Sequence, residues 1–276
     1  MISRRAYPRS AYGRRPTGGM GMRLLLGVVV AIIAIISFLG SRQYNPVVGE
    51  DQYLSLTPDQ EIMLGLQSVP EMMQEFGPEV NDPEIQQLVD SIGARLVSQS
   101  VAASTPWEFE FHVLDNPEMV NAFALPGGQI FITTALLNAL ENEDQLAGVL
   151  AHEIVHVLAR HSAQQIAKQE LAGGLVSAVA VGSGSAGAAQ TAAMIGQLVN
   201  MRYGREDEFQ SDTFGTCLMR DAGYPPEAMI EVMTILEQAS GGSPQPEFMS
   251  THPDPGNRRQ QIENAIANAD TVCNVG

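Results

Sequence analysis

The chain has 276 residues, 45% hydrophobic and 17% charged, so it is long enough to bury a core and too apolar to be a disordered polyelectrolyte. All 31 acidic residues lie from Glu50 onward and six of the 15 basic residues precede position 24, which leaves 9 basic against 31 acidic residues beyond it, a net charge of −22. Nucleic-acid binding is excluded, because phosphate contacts need clustered Lys and Arg and Lys168 is the one lysine of the chain.

An arginine-rich start precedes an uncharged apolar run of 17 residues, 24–40. At about 1.5 Å per residue, this run is at the short end of what crosses a ~30 Å hydrocarbon layer. We predict a disordered basic cytoplasmic tail over residues 1–22, a transmembrane signal anchor over 23–40 and an exported domain over 41–276. The positive-inside rule places the anchor in the inner membrane with its N-terminus in the cytoplasm and the domain in the periplasm or outside the cell. The alternative is a cleaved signal peptide. Such a peptide would show a shorter apolar region followed by a cleavage site of small residues.

The exported part mixes helical and strand patterns. Apolar residues at intervals of three and four over 85–97 predict a helix. Strict alternation over 107–113 predicts a strand with His112 exposed on its polar face, and a second strand is predicted over 129–134, giving a small sheet among many helices. The Ala/Gly-rich residues 172–194 are too interrupted by glycine for a second span; a mobile loop and a small-residue helix packed closely on its neighbour are the two interpretations.

The chemistry of the chain is carried by an H-E-x-x-H motif formed by His152, Glu153 and His156. Four residues along a helix advance about 400°, so the two imidazoles lie one turn apart on nearly one face, where a single Zn²⁺ can accept both. Glu153 projects about 100° from His152 and can take a proton from zinc-bound water. His161 is about 140° off the metal face, which excludes it as a ligand.

The helix that carries the motif has its own boundary signals. Asn142, followed three residues later by Gln145, resembles a capping box and predicts where the helix begins. The pair Gly173-Gly174 predicts where it ends.

A catalytic zinc needs a third protein ligand and an open position, and residues 203–212 offer four acids. Glu208 and Asp212 are spaced i, i+4 on one face, so that one can bind the metal while the other holds a ligand histidine. Spacing alone does not choose between them. The other two acids, Glu206 and Asp207, point elsewhere and are interpreted as a solvated helix face.

The H-E-x-x-H motif with a later R-x-x-E-x-x-x-D-x-x-G resembles peptidase family M48, which includes the CAAX prenyl proteases and the HtpX heat-shock proteases. The second element consists of Arg205, Glu208, Asp212 and Gly215. The resemblance implies that Glu208 is the third ligand. The sequence departs from the family pattern at Gly204, where Ser is common, and at Ser211, where Ala is common. Both departures replace one small residue by another.

The resemblance extends over about residues 121–259. The segment Asn121, Ala122 and Phe123 resembles the substrate-edge segment of the family, which pairs with an extended peptide by strand addition. His252 and Arg258 resemble a C-terminal His-Pro…Arg element. For His252 the resemblance implies contact with the oxyanion or substrate carbonyl, a fourth-ligand role that closes the zinc, or a fold-stabilising loop position. Arg258 is expected to pair with an acid near the site.

The resemblance implies a mostly helical α+β fold, a gluzincin-like zincin domain with a small β-sheet edging the zinc cleft, plus the N-terminal transmembrane helix. It implies a zinc endopeptidase with one Zn²⁺ per chain that acts on extended polypeptides of misfolded or envelope proteins. The sequence has no G-x-x-x-x-G-K-[ST] motif, so we expect no nucleotide partner and ATP-independent hydrolysis. The alternatives are a non-catalytic or latent holdase of the same fold, which an intact Glu153 opposes, and a multi-spanning prenyl-protein protease, which a single span opposes.

The two cysteines, Cys217 and Cys273, suit an exported domain with one disulfide closing a long loop. The chain-entropy model gives such a bridge about 4 kcal/mol. A buried free thiol at Cys217, beside apolar neighbours, is the alternative.

Overall fold

The computed structural model describes residues 19–183, 202–240, 247–253 and 256–273. The tail predicted over 1–22 is therefore described only from residue 19, and the Ala/Gly-rich stretch only as far as residue 183. The helices are α1 Gly19–Gly40, α2 Pro58–Phe76, α3 Pro83–Ser98, α4 Thr134–Ala139, α5 Glu143–Leu158, α6 His161–Ser183, α7 Arg205–Asp221, α8 Ala228–Ser240, α9 Glu247–Thr251, α10 Arg258–Ala267 and α11 Ala269–Val272. The strands are β1 Arg42–Asn45, β2 Glu50–Tyr53, β3 Glu110–Leu114, β4 Ala122–Ala124 and β5 Gln129–Thr133, and 3₁₀ turns lie at Val101–Ser104 and Pro126–Gly128. The predicted mostly helical α+β fold with small sheets is confirmed.

Helix α1 is long and apolar enough to cross a membrane, and its side chains are almost all exposed in the isolated chain. It is described from Gly19, four residues before the predicted start of the anchor.

The central sheet has the strand order β3-β5-β4, with β3 parallel and β4 antiparallel to β5. The strand predicted from residue 107 begins only at Glu110. His112 is not simply exposed: its ring lies 2.7 Å from Oε1 of Glu79 and 2.8 Å from Oε1 of Gln129, and it stacks on Phe131. The hairpin β1–β2 forms a separate two-stranded sheet next to the C-terminus of α1.

The main hydrophobic core surrounds α5, in which every residue from 145 to 158 is buried. The side chain of Asn142 accepts a hydrogen bond from the backbone N–H of Gln145, as predicted for the helix start. Gln145 does not complete the capping box, because its Oε1 accepts from the backbone of Glu141 instead.

Helix α5 ends at Leu158, well before the predicted glycine pair. Arg160 adopts a left-handed conformation with φ of 55°, which L-residues rarely adopt, and α6 begins at the next residue. Two side chains of the β1–β2 hairpin hold this turn: Asn45 donates to the carbonyl of Leu158 and Gln52 donates to the carbonyl of Ala159, each at 2.8 Å. The hairpin thus caps the helix that carries the H-E-x-x-H motif.

Helix α6 runs through Gly173-Gly174 without a break and packs along α1. A cavity between the two is lined by Phe38 of α1 and Leu171 of α6. One turn further along α6, a Cβ added to Gly174 would lie 2.8 Å from the Cβ of Ala34. Because Leu171 lies by Phe38 and Gly174 by Ala34, the two helices are antiparallel.

Candidate active site

Three elements bring four ligating side chains to one point. His152 and His156 lie on α5, Glu208 lies in the first turn of α7, and His252 follows the short helix α9. One ligating atom from each of these four residues lies within 4.8 Å of the others, and all four side chains are buried. The Nε2 atoms of the two α5 histidines are 3.0 Å apart. The predicted i, i+4 placement therefore aims both imidazoles at one position.

Glu208 is the acidic residue that faces this position. Its Oε2 lies 3.4 Å from Nε2 of His152, and its Oε1 lies 3.6 Å from Nε2 of His156 and 3.1 Å from Nδ1 of His252. Three imidazoles and one carboxylate are a donor set that suits Zn²⁺ and related divalent transition ions. The residues present therefore fit a metal.

Asp212, one turn later on α7, lies behind His152. Its Oδ1 is 3.0 Å from Nδ1 of His152, the nitrogen that points away from the cluster. Arg258 donates from Nε to Oδ2 of Asp212 at 2.8 Å and from Nη2 to Oδ1 at 2.7 Å, and its Nη1 lies 3.2 Å from Oε2 of Glu208. The structure thus gives Arg258 two acidic partners, which the sequence did not name.

Glu153 lies beside the cluster, fully buried, and neither of its carboxylate oxygens has a hydrogen-bond partner among the described residues. The nearest cation-forming group is His252, whose Nε2 lies 3.5 Å from Oε1 of Glu153. Burial raises the pKa of Glu153. A carboxylate with a raised pKa and no partner is suited to accepting and returning a proton.

The ligands differ in protonation before a metal binds. Burial lowers the pKa of His152, but its hydrogen bonds to Asp212 and Glu208 outweigh burial and raise this pKa to about 9. Burial and the positive charge on His152 hold the pKa of His156 well below its ordinary value. Burial raises the pKa of Glu208, but the charges of His252 and Arg258 outweigh it and hold this pKa well below the usual range. Glu208 and His156 are therefore ready to bind a cation, whereas His152 must first lose a proton.

Two residues that sequence reasoning did not assign support His156. His161 lies outside the ligand cluster, as predicted, but its Nδ1 is 2.9 Å from Nδ1 of His156, and its Nε2 is 2.9 Å from Oε1 of Gln210. Tyr203 stacks on the His156 ring with centroids 3.9 Å apart, and its hydroxyl lies 3.0 Å from Oγ of Ser162. Neither residue had a signal in the sequence: the prediction kept His161 inside the motif helix, which in fact ends at Leu158, and the contact of Tyr203 with His156 is long-range.

The predicted substrate-edge segment lies on an edge strand, β4, that pairs with β5 on one side. Asn121 N–H donates to Oγ1 of Thr133 and its carbonyl accepts from Thr133 N–H, so its main chain faces β5. Neighbouring strand residues point their main-chain groups to opposite edges, so Val120 and Ala122 face outward. The outward carbonyl of Val120 accepts from the N–H of Phe248 on α9 at 3.1 Å. Both polar atoms of the Asn121 amide are buried without a hydrogen-bond partner in the described residues.

A disulfide joins Cys217 of α7 to Cys273, which directly follows α11. It ties the helix that carries Glu208 and Asp212 to the end of the C-terminal helical segment. That segment begins with Arg258.

Comparison with known proteins identifies one family model and several related proteases. The family model of peptidase family M48 matches residues 83–266. The chain is 34% identical over 238 residues to the beta-barrel assembly-enhancing protease of Escherichia coli K12, covering 83% of this chain and 48% of that protein. It is 29% identical over 232 residues to the mitochondrial metalloendopeptidase OMA1 of Schizosaccharomyces pombe, covering 82% of this chain and 67% of that protein. The bovine metalloendopeptidase OMA1 is 26% identical over 267 residues, covering 90% of this chain and 50% of that protein. The chain thus spans about half the length of the first curated relatives it matches.

Proposed function

The chain belongs to peptidase family M48, and on that premise we propose that it is a membrane-anchored zinc endopeptidase that hydrolyses extended polypeptides without ATP. The observation that carries the proposal is the buried cluster of His152, His156 and Glu208 with the unpartnered carboxylate of Glu153 beside it. In this proposal the three cluster residues hold one zinc ion, and Asp212 orients His152 through the outer ring nitrogen. When bound, zinc supplies Lewis acidity to the scissile carbonyl and lowers the pKa of water.

Glu153 performs the proton transfers. Its carboxylate lies next to the ligand cluster in a water-poor environment, and burial raises its pKa toward the range where a group both accepts and releases protons. Glu153 accepts a proton from the attacking water and returns it to the leaving amine. The neighbouring positive groups, His252 first and then His152, oppose the rise of the Glu153 pKa that burial causes.

His252 gives the resting site a closed form. Three protein ligands and one open position are typical of catalytic zinc, whereas four protein ligands are typical of structural zinc. With Nδ1 of His252 3.1 Å from Glu208 and 3.4 Å from Nε2 of His152, this ring occupies the position that water and substrate need. The place of His252 inside the ligand cluster favours one of its three interpretations, the role of fourth ligand.

The same segment covers the proposed substrate edge. Phe248 uses the outward carbonyl of Val120, and His252 lies four residues further along, with its N–H bonded to the carbonyl of Phe248. We infer that a substrate strand adds to the outer edge of β4 when α9 withdraws, and that the amide of Asn121 then finds its partner on the substrate. Withdrawal of α9 would free the carbonyl of Val120 and the metal position together.

We further propose that residues 1–22 lie in the cytoplasm, residues 23–40 span the inner membrane and residues 41–276 lie on its outer side. The arginines before residue 24 and the acidic remainder support this orientation. The names of the bacterial relatives, beta-barrel assembly-enhancing proteases, favour misfolded or envelope proteins as the substrate class.

The alternative is a holdase that uses the same cleft to bind unfolded chains without cutting them. A pure binder has no need of a buried, unpartnered carboxylate, and burying one without a partner is costly. The position of Glu153 therefore favours the enzyme.

The test compares full-length wild type with Glu153→Gln in detergent, by metal analysis and casein cleavage, with Glu143→Gln as the matched control at an exposed position of the same helix. We expect about one zinc in all three proteins and cleavage by wild type and Glu143→Gln only, abolished by a chelator. Zinc binding without cleavage by any of them, including a form with His252→Ala to open the site, would favour the holdase. Absence of bound metal would show that the ligand set is wrong.

A further inference from the structure

We propose that residues 171–183, the second half of α6, lie in the hydrocarbon layer of the membrane beside α1, so that two helices and not one hold the domain to the bilayer. The inference rests on the part of the proposed function that places α1 across the membrane. It assigns a lipid-facing surface to a segment for which the sequence left a loop and a packed helix as alternatives.

Helices α1 and α6 make the most extensive contact between any two described elements, and they run antiparallel. On α6, Ala167 lines the cavity that Ala34 and Phe38 of α1 also line, and Gly174, two turns later, lies against Ala34. A helix that packs along a membrane span over this length cannot remain in water while the span lies in lipid.

Helix α6 is long enough to reach deep into the layer that α1 crosses. Glu170 and Leu171 line the same cavity as Gly40, where α1 leaves the predicted hydrocarbon layer. The 13 residues from 171 to 183 rise about 20 Å at ~1.5 Å per residue, roughly two thirds of a ~30 Å hydrocarbon layer. All of this segment runs back along α1 toward its N-terminus.

The exposed face of α6 changes from charged to apolar along the helix. Lys168 and Glu170 are the last charged residues before Arg202, and both are exposed at the level of the membrane surface. Beyond them, Val176 is 69% exposed and Leu175 is 38% exposed in the isolated chain, next to the exposed apolar side chains of α1. Both helices thus expose large apolar side chains, and in this proposal the acyl chains that cover α1 also cover this half of α6. The close approach at Gly174 is the packing that membrane helices use in place of a hydrophobic driving force.

The arrangement fixes the site relative to the membrane. Helix α6 begins at His161, whose ring contacts His156, and reaches the membrane surface near Leu171. Ten residues of helix separate these points, so His161 lies at most about 15 Å from the hydrocarbon surface at ~1.5 Å per residue, and the ligand cluster lies beside it. A substrate must therefore present its cleavable segment close to the membrane.

The experiment measures tryptophan quenching in full-length protein reconstituted into phosphatidylcholine vesicles with or without bromine on the acyl chains. The background is Trp107→Phe, because Trp107 is the one tryptophan of the chain. Val176→Trp reports on α6, Ile33→Trp at a 58% exposed position of α1 is the positive control, and Leu88→Trp at a 36% exposed position of α3 is the negative control. Each protein must keep the thermal unfolding midpoint of the background; Leu175→Trp replaces Val176→Trp if that variant does not.

We expect brominated lipid to quench Val176→Trp as strongly as Ile33→Trp and several-fold more than Leu88→Trp. Quenching of Ile33→Trp alone would overturn the inference. In that case acrylamide quenching of Val176→Trp would place α6 in water, and protection from both quenchers would show that a second protein copy covers it. If Ile33→Trp is not quenched either, the membrane placement of α1 in the proposed function is wrong as well, which distinguishes the two failures.

Discussion

Nδ1 of His152 lies 3.0 Å from Oδ1 of Asp212, so the outer nitrogen of a proposed metal ligand is bound to a buried carboxylate on another helix. This contact holds the His152 ring in place and, with Glu208, keeps the ring protonated when no metal is present. A proton on a ligand must leave before a cation binds, which makes metal binding depend on pH.

We expect zinc binding at pH 7 to release about one proton, because the pKa of His152 is about 9 before binding. The apparent affinity should rise about tenfold per pH unit up to about pH 9 and level off above it. Calorimetric titration in two buffers of different ionisation enthalpy measures the released proton directly. In Asp212→Asn the pKa of His152 falls, so fewer protons should be released and affinity at high pH should drop by about 10–100-fold. Equal heats in both buffers for wild type would contradict the prediction.

We expect His252→Ala to keep about one zinc per chain and to cleave casein faster than wild type, because the substitution opens the fourth position at the metal. The rate of cleavage at equal zinc content is the measurement. His112→Ala, a histidine on β3 outside the ligand cluster, is the matched control. Slower cleavage with zinc retained would instead assign His252 to the oxyanion or the substrate carbonyl.

Arg258 is 2% exposed and faces two buried carboxylates, Asp212 and Glu208. Removing one partner of a buried ion pair leaves uncompensated charge, so Arg258→Met should lower the free energy of unfolding by about 3–5 kcal/mol. Urea unfolding with chelator present isolates this effect from metal binding. The adjacent Arg259 pairs with Glu237 at the surface, and Arg259→Met should cost at most about 1 kcal/mol. Equal losses of unfolding free energy for the two substitutions would show that burial of the ion-pair network does not decide how much it contributes to stability.

The disulfide between Cys217 and Cys273 closes a loop with a sequence separation of 56 residues. In the chain-entropy model its reduction should lower the free energy of unfolding by about 4 kcal/mol. Urea unfolding with and without reductant measures this loss. A variant with both cysteines replaced by alanine should lie at the reduced value and should not respond to reductant; a response in that variant would show that the reductant acts elsewhere.

Local patterns predicted the elements that depend on neighbouring residues. The motif helix could be placed from Asn142 and from the i, i+4 histidines, because capping and helical periodicity act within a few residues. The choice between Glu208 and Asp212 needed the family resemblance, since both lie on one helix face and the difference is which of them faces Nε2 rather than Nδ1 of His152.

Features that depend on distant partners were missed. The break after Leu158 occurs at an arginine in a left-handed conformation, which no local signal favours, and it is held by Asn45 and Gln52, each more than 100 residues away in sequence. The glycine pair in α6 predicted a stop, but the helix continues through it, and the absence of a side chain at Gly174 permits close packing on α1. Tyr203 and His161 escaped assignment because their contacts with His156 exist only in the folded chain.

The hydrogen bond from Phe248 to Val120 makes α9 an intramolecular competitor for the strand edge. If the same segment delivers His252 to the metal, one closed-to-open equilibrium governs both positions, and the apparent affinity of any ligand is its intrinsic affinity multiplied by the open fraction. By linkage, a strand-like peptide at β4 and a small metal-directed inhibitor would each favour the open form and so bind with positive cooperativity, although they touch different residues. In a screen, such compounds would then inhibit at lower concentrations when tested in pairs than when tested singly.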